Sequence, residues 1–192
     1  MARPLRYFLP GITLHLTQRG SNRGVIFRCQ SDYQAFIHVL RYALDRYDVQ
    51  IHAYALMTNH IHLMVTPGTA TALPRTMQSV SRRYVDFFNT RYERTGGLWQ
   101  GRYKVAYIQD ERYWLTCMRY VEMNPVRAGL VAAPHEYQWS SYRAHALGEA
   151  DPLITPHPVY LALGATSDMR REAWRDTCGA SIAVEDLEKI RC

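Results

Sequence analysis

Asn59-His60-Ile61-His62-Leu63-Met64-Val65 is the stretch whose pattern decides the fold. His60, His62 and Met64 fall on one face and Ile61, Leu63 and Val65 on the other, the two-residue period of a half-buried strand. Upstream, Ile51 to Met57 reads as a second strand. Thr58-Asn59 is then a two-residue link, and Asn tolerates the left-handed backbone that such hairpins require. A β-hairpin carrying two imidazoles on one face is the expectation.

Working outward, Ile12 to Thr17 reads as a short strand followed by the polar turn Arg19-Gly20-Ser21-Asn22-Arg23. Ser31-Asp32 supplies a helix start. Phe36, Val39, Leu40, Ala43, Leu44 and Tyr47 recur behind it at helical spacing. A longer helix is expected from Leu73 to Arg94, ended by Gly96-Gly97, with Met77, Val80, Tyr84, Phe87 and Phe88 as its buried stripe. Tyr103 to Ile108 is another strand candidate. Asp110 opens a helix through Asn124, because the residue before Pro125 is pushed away from helical geometry. Beyond Val131 the chain is rich in Pro, His and Trp, with short helices expected near Tyr160, Arg171-Arg175 and Glu185-Ile190. The order predicts an α+β sandwich with a central antiparallel sheet. Residues 1–131 read as the core and 132–192 as a mostly helical C-terminal extension packed on it.

The bulk composition narrows the function classes. The chain has 192 residues and a formal charge of +6, and its only lysines are Lys104 and Lys189. Arginine's planar fork suits bidentate phosphate contacts and stacking on bases, which fits a nucleic-acid partner; a GC-rich genome that favours arginine codons explains the same bias. Cys29, Cys117, Cys178 and Cys192 form no CxxC pair, and the N-terminus lacks an apolar signal-peptide core. No run of about 18 apolar residues occurs, so no membrane span is expected. A reduced cytoplasmic protein is the simplest reading.

Two short motifs carry chemistry. Residues i and i+2 of a strand share a face about 7 Å apart, so His60 and His62 can lean together on one cation. Ordinary strand histidines are the bland reading, and a zinc hydrolase competes, although no acidic residue or third histidine follows within 60–66. Downstream, Arg119-Tyr120-Val121-Glu122-Met123-Asn124-Pro125 places Tyr120 and Asn124 on one helix face, with Glu122 pointing elsewhere. A phenol can act as nucleophile, and a carboxamide oxygen can complete a metal site. Tyr113, seven residues back on that face, is the competing nucleophile. His15 and His52 are further imidazoles on neighbouring strands, each without a paired partner.

Taken together, these runs resemble the REP-associated tyrosine transposases, a branch of the single-tyrosine His-hydrophobic-His transposases. The carriers are Met57-Thr58-Asn59-His60-Ile61-His62, Leu98-Trp99-Gln100-Gly101-Arg102-Tyr103, Tyr120-Val121-Glu122-Met123-Asn124-Pro125-Val126-Arg127-Ala128-Gly129 and Trp139-Ser140-Ser141-Tyr142, in this order and spacing. The resemblance implies a ferredoxin-like sandwich. It implies His60, His62 and Asn124 as ligands of Mg²⁺ or Mn²⁺, with Tyr120 as the nucleophile that forms a 5′-phosphotyrosine. The implied substrate is single-stranded DNA folded into hairpins, the repetitive extragenic palindromes, with an adjacent short recognition sequence. A monomer is favoured by that branch, whereas related insertion-sequence enzymes are dimers.

Candidate DNA contacts are Arg19 and Arg23 after the first strand, Arg82 and Arg83 on the long helix, and the basic-aromatic group Trp99, Arg102, Tyr103 and Lys104, suited to stacking a base and holding phosphates. By family analogy Arg3 to Arg6 reach the sequence beside the hairpin. A catalytically inactive hairpin-binding protein is the alternative function, and a zinc hydrolase a weaker one.

Overall fold

The structure is a computed structural model that describes residues 6–108 and 110–180. Four strands form one antiparallel sheet: β1 (Leu14–Arg19), β2 (Val49–Met57), β3 (His60–Pro67) and β4 (Lys104–Tyr107), in the order β2-β3-β1-β4. Helix α1 (Gln30–Tyr47) joins β1 to β2, and α2 (Ala72–Arg91) joins β3 to β4. This β-α-β-β-α-β order is the ferredoxin-like arrangement, and the expected α+β sandwich is the observed fold class.

One sheet face carries the main core. Leu14, Leu16, Ile51, Tyr54, Leu56, Ile61, Leu63 and Val65 pack there with Phe36, Leu40, Val80, Tyr84 and Phe88 of α1 and α2. Strict alternation would not put Ile51 and Tyr54 on one side. A register shift between Ile51 and Ala53 inserts His52 as an extra residue and restores the phase.

The other face is covered by α3 (Glu111–Glu122) and by later segments: α4 (Asn124–Arg127), α5 (Tyr142–Leu147), α6 (Pro158–Leu161) and α7 (Ser167–Gly179). Ala53, Ala55, Met57 and Met64 lie under Trp114, Met118, Val121 and Trp174 there. Small alanines on the strand let these large side chains close on the sheet. The C-terminal segment also hydrogen-bonds the outer edge of β2. Leu56 N donates to Trp139 O (2.9 Å), Ser141 N to Tyr54 O (3.0 Å) and Thr155 N to Ile51 O (2.8 Å), so an exposed edge is blunted. The expected helix at Glu185-Ile190 lies outside the described residues. No helix among the described residues is long and apolar enough to cross a membrane.

Candidate active site

The β1–β3 register sets the imidazoles beside the first strand: Thr17 is opposite His62 and Arg19 opposite His60. The rings of His60 and His62 lie 4.9 Å apart and nearly perpendicular. Their Nδ1 atoms are both engaged. Asn59 Nδ2 donates to Arg23 O (3.1 Å), which fixes that amide, so its Oδ1 accepts from His60 Nδ1–H at 2.6 Å. Asn59 was expected for left-handed backbone, but it does not adopt positive φ; its side chain is what the site uses. His62 Nδ1 lies 2.9 Å from His15 Nε2 and 3.3 Å from Thr17 Oγ1. His15, expected to stand alone, is therefore the partner of His62. Neither Nε2 of the pair makes a hydrogen bond among the described residues. Burial pushes His15 and His60 down to about 4, and burial with neighbouring imidazole and arginine groups holds His62 well below its ordinary value. All three are neutral at pH 7, the form in which an imidazole offers a lone pair.

Tyr120 arrives from above on α3. Asp110 caps this helix by accepting from Tyr113 N at 2.8 Å, and Trp114, Met118 and Val121 anchor it to the sheet. Pro125 has no N–H and interrupts the ladder. The expected single helix through Asn124 is instead two, and Asn124 begins α4, its carbonyl accepting from Ala128 N at 2.9 Å. The Tyr120 ring, 7% exposed, stands edge-on to His62 at 5.7 Å and to His15 at 6.0 Å. The Arg127 guanidinium covers it at 4.5 Å. Asn124 is nearly buried, and its Nδ2 has no partner among the described residues.

These groups line one cavity of about 670 Å³. Arg19, Arg23, Arg102, Lys104 and Arg127 surround His60, His62, Tyr120 and Asn124, and no Asp or Glu lines it among the described residues. Such a cleft concentrates anions. The 19–23 turn is tight: Gly20 N donates to Asn59 O at 2.9 Å, and a Cβ on Gly20 would run into the Gly24 carbonyl oxygen. Asn22 and Arg23 close it at φ 52° and 57°, which turns Arg23 towards the imidazoles.

Residues 9–124 match the family "Transposase IS200 like". This chain belongs to the IS200-like transposase family. The structure of a REP-associated tyrosine transposase bound to a REP hairpin aligns with a TM-score of 0.64 at 19% identity, covering 83% of this chain and 93% of that one. The two share the fold. A protein of Deinococcus radiodurans R1, named as a transposase, aligns at 15% identity over 60% of this chain and 92% of its own, with a TM-score of 0.42. The tRNA(His) guanylyltransferase of Saccharomyces cerevisiae aligns at 9% identity over 93% and 82%, with a TM-score of 0.46. No curated protein matches.

Not every sequence candidate of this transposase reaches the cavity. Arg6, Arg82 and Trp99 line a second one, which shares Arg102 with the first. Arg83 stacks on Tyr42 at 4.4 Å and lines neither. Arg3 lies outside the described residues. Tyr113 packs against the α3 core and does not line the cavity. Among the described residues, no three His, Cys, Asp or Glu side chains form a metal-binding group; the groups available to a cation are the two Nε2 atoms and the Asn124 carboxamide. Sequence reasoning also missed Arg127 and Glu122. Glu122 is fully buried and accepts from Ser141 Oγ (2.5 Å), His145 Nδ1 (2.6 Å) and Trp174 Nε1 (2.8 Å). The signal was present: Trp114, Met118, Val121 and Glu122 share one helix stripe, so an acid stands at a core position.

Proposed function

We propose that this protein is a metal-dependent single-stranded DNA endonuclease and strand transferase of the REP-associated tyrosine type. The observation that carries this is the edge-on approach of Tyr120 to His62, 5.7 Å within one chain, in a cavity walled by cations. The REP hairpin held by the structural neighbour supports hairpin DNA as the substrate; an adjacent short recognition sequence is part of the same proposal.

Arg19, Arg23, Arg102, Lys104 and Arg127 hold backbone phosphates in the cleft. Tyr120 Oη then attacks one phosphorus. An O–P bond forms, the bond from phosphorus to the 3′-oxygen breaks, the phenol loses its proton and the 3′-oxygen gains one. The product is a 5′-phosphotyrosine and a free 3′-hydroxyl, and reversal by another 3′-hydroxyl joins strands. A divalent cation such as Mg²⁺ or Mn²⁺, held by His60, His62 and Asn124, would supply Lewis-acid polarisation of a non-bridging phosphate oxygen. The donor set fits it: both Nδ1 positions are committed, and a ligating His62 must donate from Nδ1–H to His15. His60, His62, Tyr120 and Asn124 of the same chain line the cavity together, which supports a monomer as the active form.

The test is a denaturing gel with labelled hairpin-bearing single strands and Mn²⁺. The wild type and Tyr113→Phe are expected to form a covalent adduct, and Tyr120→Phe none while still binding DNA. Hairpin binding with no adduct in the wild type would contradict the reading in favour of an inactive binding protein.

A further inference from the structure

A cavity of about 480 Å³ opens between α2 and the 99–103 loop, on the sheet face that carries α2. Its volume falls in the range of small-ligand sites. Pro74 and Met77 of α2 form an apolar floor, and Trp99 and Tyr103 form aromatic walls. Arg82 and Arg102 stand at its rim.

Gln18 makes this more than a void. It follows Leu14 and Leu16 on the apolar side of β1 and is 5% exposed. Its Oε1 has no hydrogen-bond partner among the described residues, and neither has Trp99 Nε1. Buried polar atoms without partners are rare in folded proteins and ask for an explanation. Gln18 and Arg102 also line the catalytic cavity, so a strand passing Arg102 reaches both.

We propose that this pocket holds one unpaired nucleobase of the strand whose phosphate lies beside Tyr120, with Gln18 reading the base's exocyclic amino group. The proposal rests on the DNA-processing reading and names what a second part of the cleft selects. Aromatic walls stack a base of any kind. A carboxamide oxygen accepts from the exocyclic amino group of adenine, cytosine or guanine; thymine has a carbonyl oxygen at that place and offers only its ring N3–H, so it makes the poorer fit. The rim arginines bind the flanking phosphates.

The experiment measures affinity for a hairpin with single-stranded flanks, in the Tyr120→Phe background so that the DNA stays intact. Each flank position is replaced in turn by an abasic site, then by thymine. One position is expected to lose about tenfold in affinity at an abasic site, the scale of one stacked base, and a smaller factor on thymine, which keeps the stacking and loses the amino contact. Gln18→Leu is expected to lose the discrimination against thymine at that position while remaining sensitive to the abasic site. Ser81→Trp fills the pocket from its half-exposed helical rim and covers the case in which Gln18→Leu does not fold. A flat abasic scan, or Ser81→Trp binding like its parent, overturns the proposal. Adduct formation by the wild type is scored separately. An adduct with a flat scan sinks the pocket alone, whereas base-dependent binding with no adduct sinks the cleavage reading alone.

Discussion

Two polar clusters flank the last turn of α3, and they are built in opposite ways. Around Glu122 both carboxylate oxygens are satisfied by Ser141, His145 and Trp174, all from the C-terminal segment. Around Tyr120, two residues away, and among the described residues, the Nε2 atoms of His60 and His62 make no hydrogen bond, Asn124 Nδ2 has no partner, and five cations surround a space that no carboxylate lines. Saturated polar groups hold a fold together; unsaturated ones wait for a ligand. The first cluster fastens the helix that presents the second.

That contrast can be broken from either side. Tyr120→Phe is expected to lower adduct formation by more than about 10³-fold, the scale of losing a nucleophile, with the thermal midpoint nearly unchanged; a gel and a melting curve decide it. Glu122→Ala leaves three buried donors unpaired and is expected to cost roughly 3–5 kcal/mol by urea unfolding. A Glu122→Ala protein of unchanged stability would remove the scaffold half of the comparison. Asn59→Ala frees His60 Nδ1 and is expected to weaken Mn²⁺ binding by about 10–100-fold, the usual cost of losing a partner of a metal-ligating histidine, read by calorimetry. The gentlest change per step is a pH slope at His52. Its Nδ1–H donates to Thr155 O and its Nε2 accepts from Thr66 Oγ1, both at 2.8 Å, and burial pushes it down to about 4. The unfolded chain takes up this proton first as pH falls below 6.5, so stability is lost between pH 6.5 and 4, by up to about 1.4 kcal/mol per unit. His52→Asn is expected to reduce the slope of that part of the urea-midpoint profile, to which His15 and His60 also contribute.

The hairpin, the long α2 and the Tyr120–Asn124 face were legible because each is a local period. Longer-range facts were not. The pairing of His15 with His62 depends on the β1–β3 register, which no single strand reveals. Asn59 looked like a turn residue and serves through its side chain. The path of 137–155 along β2 carries no alternation to announce it. Glu122 was legible in principle, as an acid on a core stripe, but its three donors come from 19 to 52 residues away.

The central claim is that the phenol of Tyr120 lies beside a cation held by His60 and His62. Paramagnetic broadening by Mn²⁺, observed on isotope-labelled tyrosine and histidine side chains, tests it most directly. The account predicts that the rings of His60, His62 and Tyr120 broaden together, Tyr113 far less, and that His62→Ala abolishes the effect. Broadening centred on other histidines, with the Tyr120 ring left sharp, would contradict it.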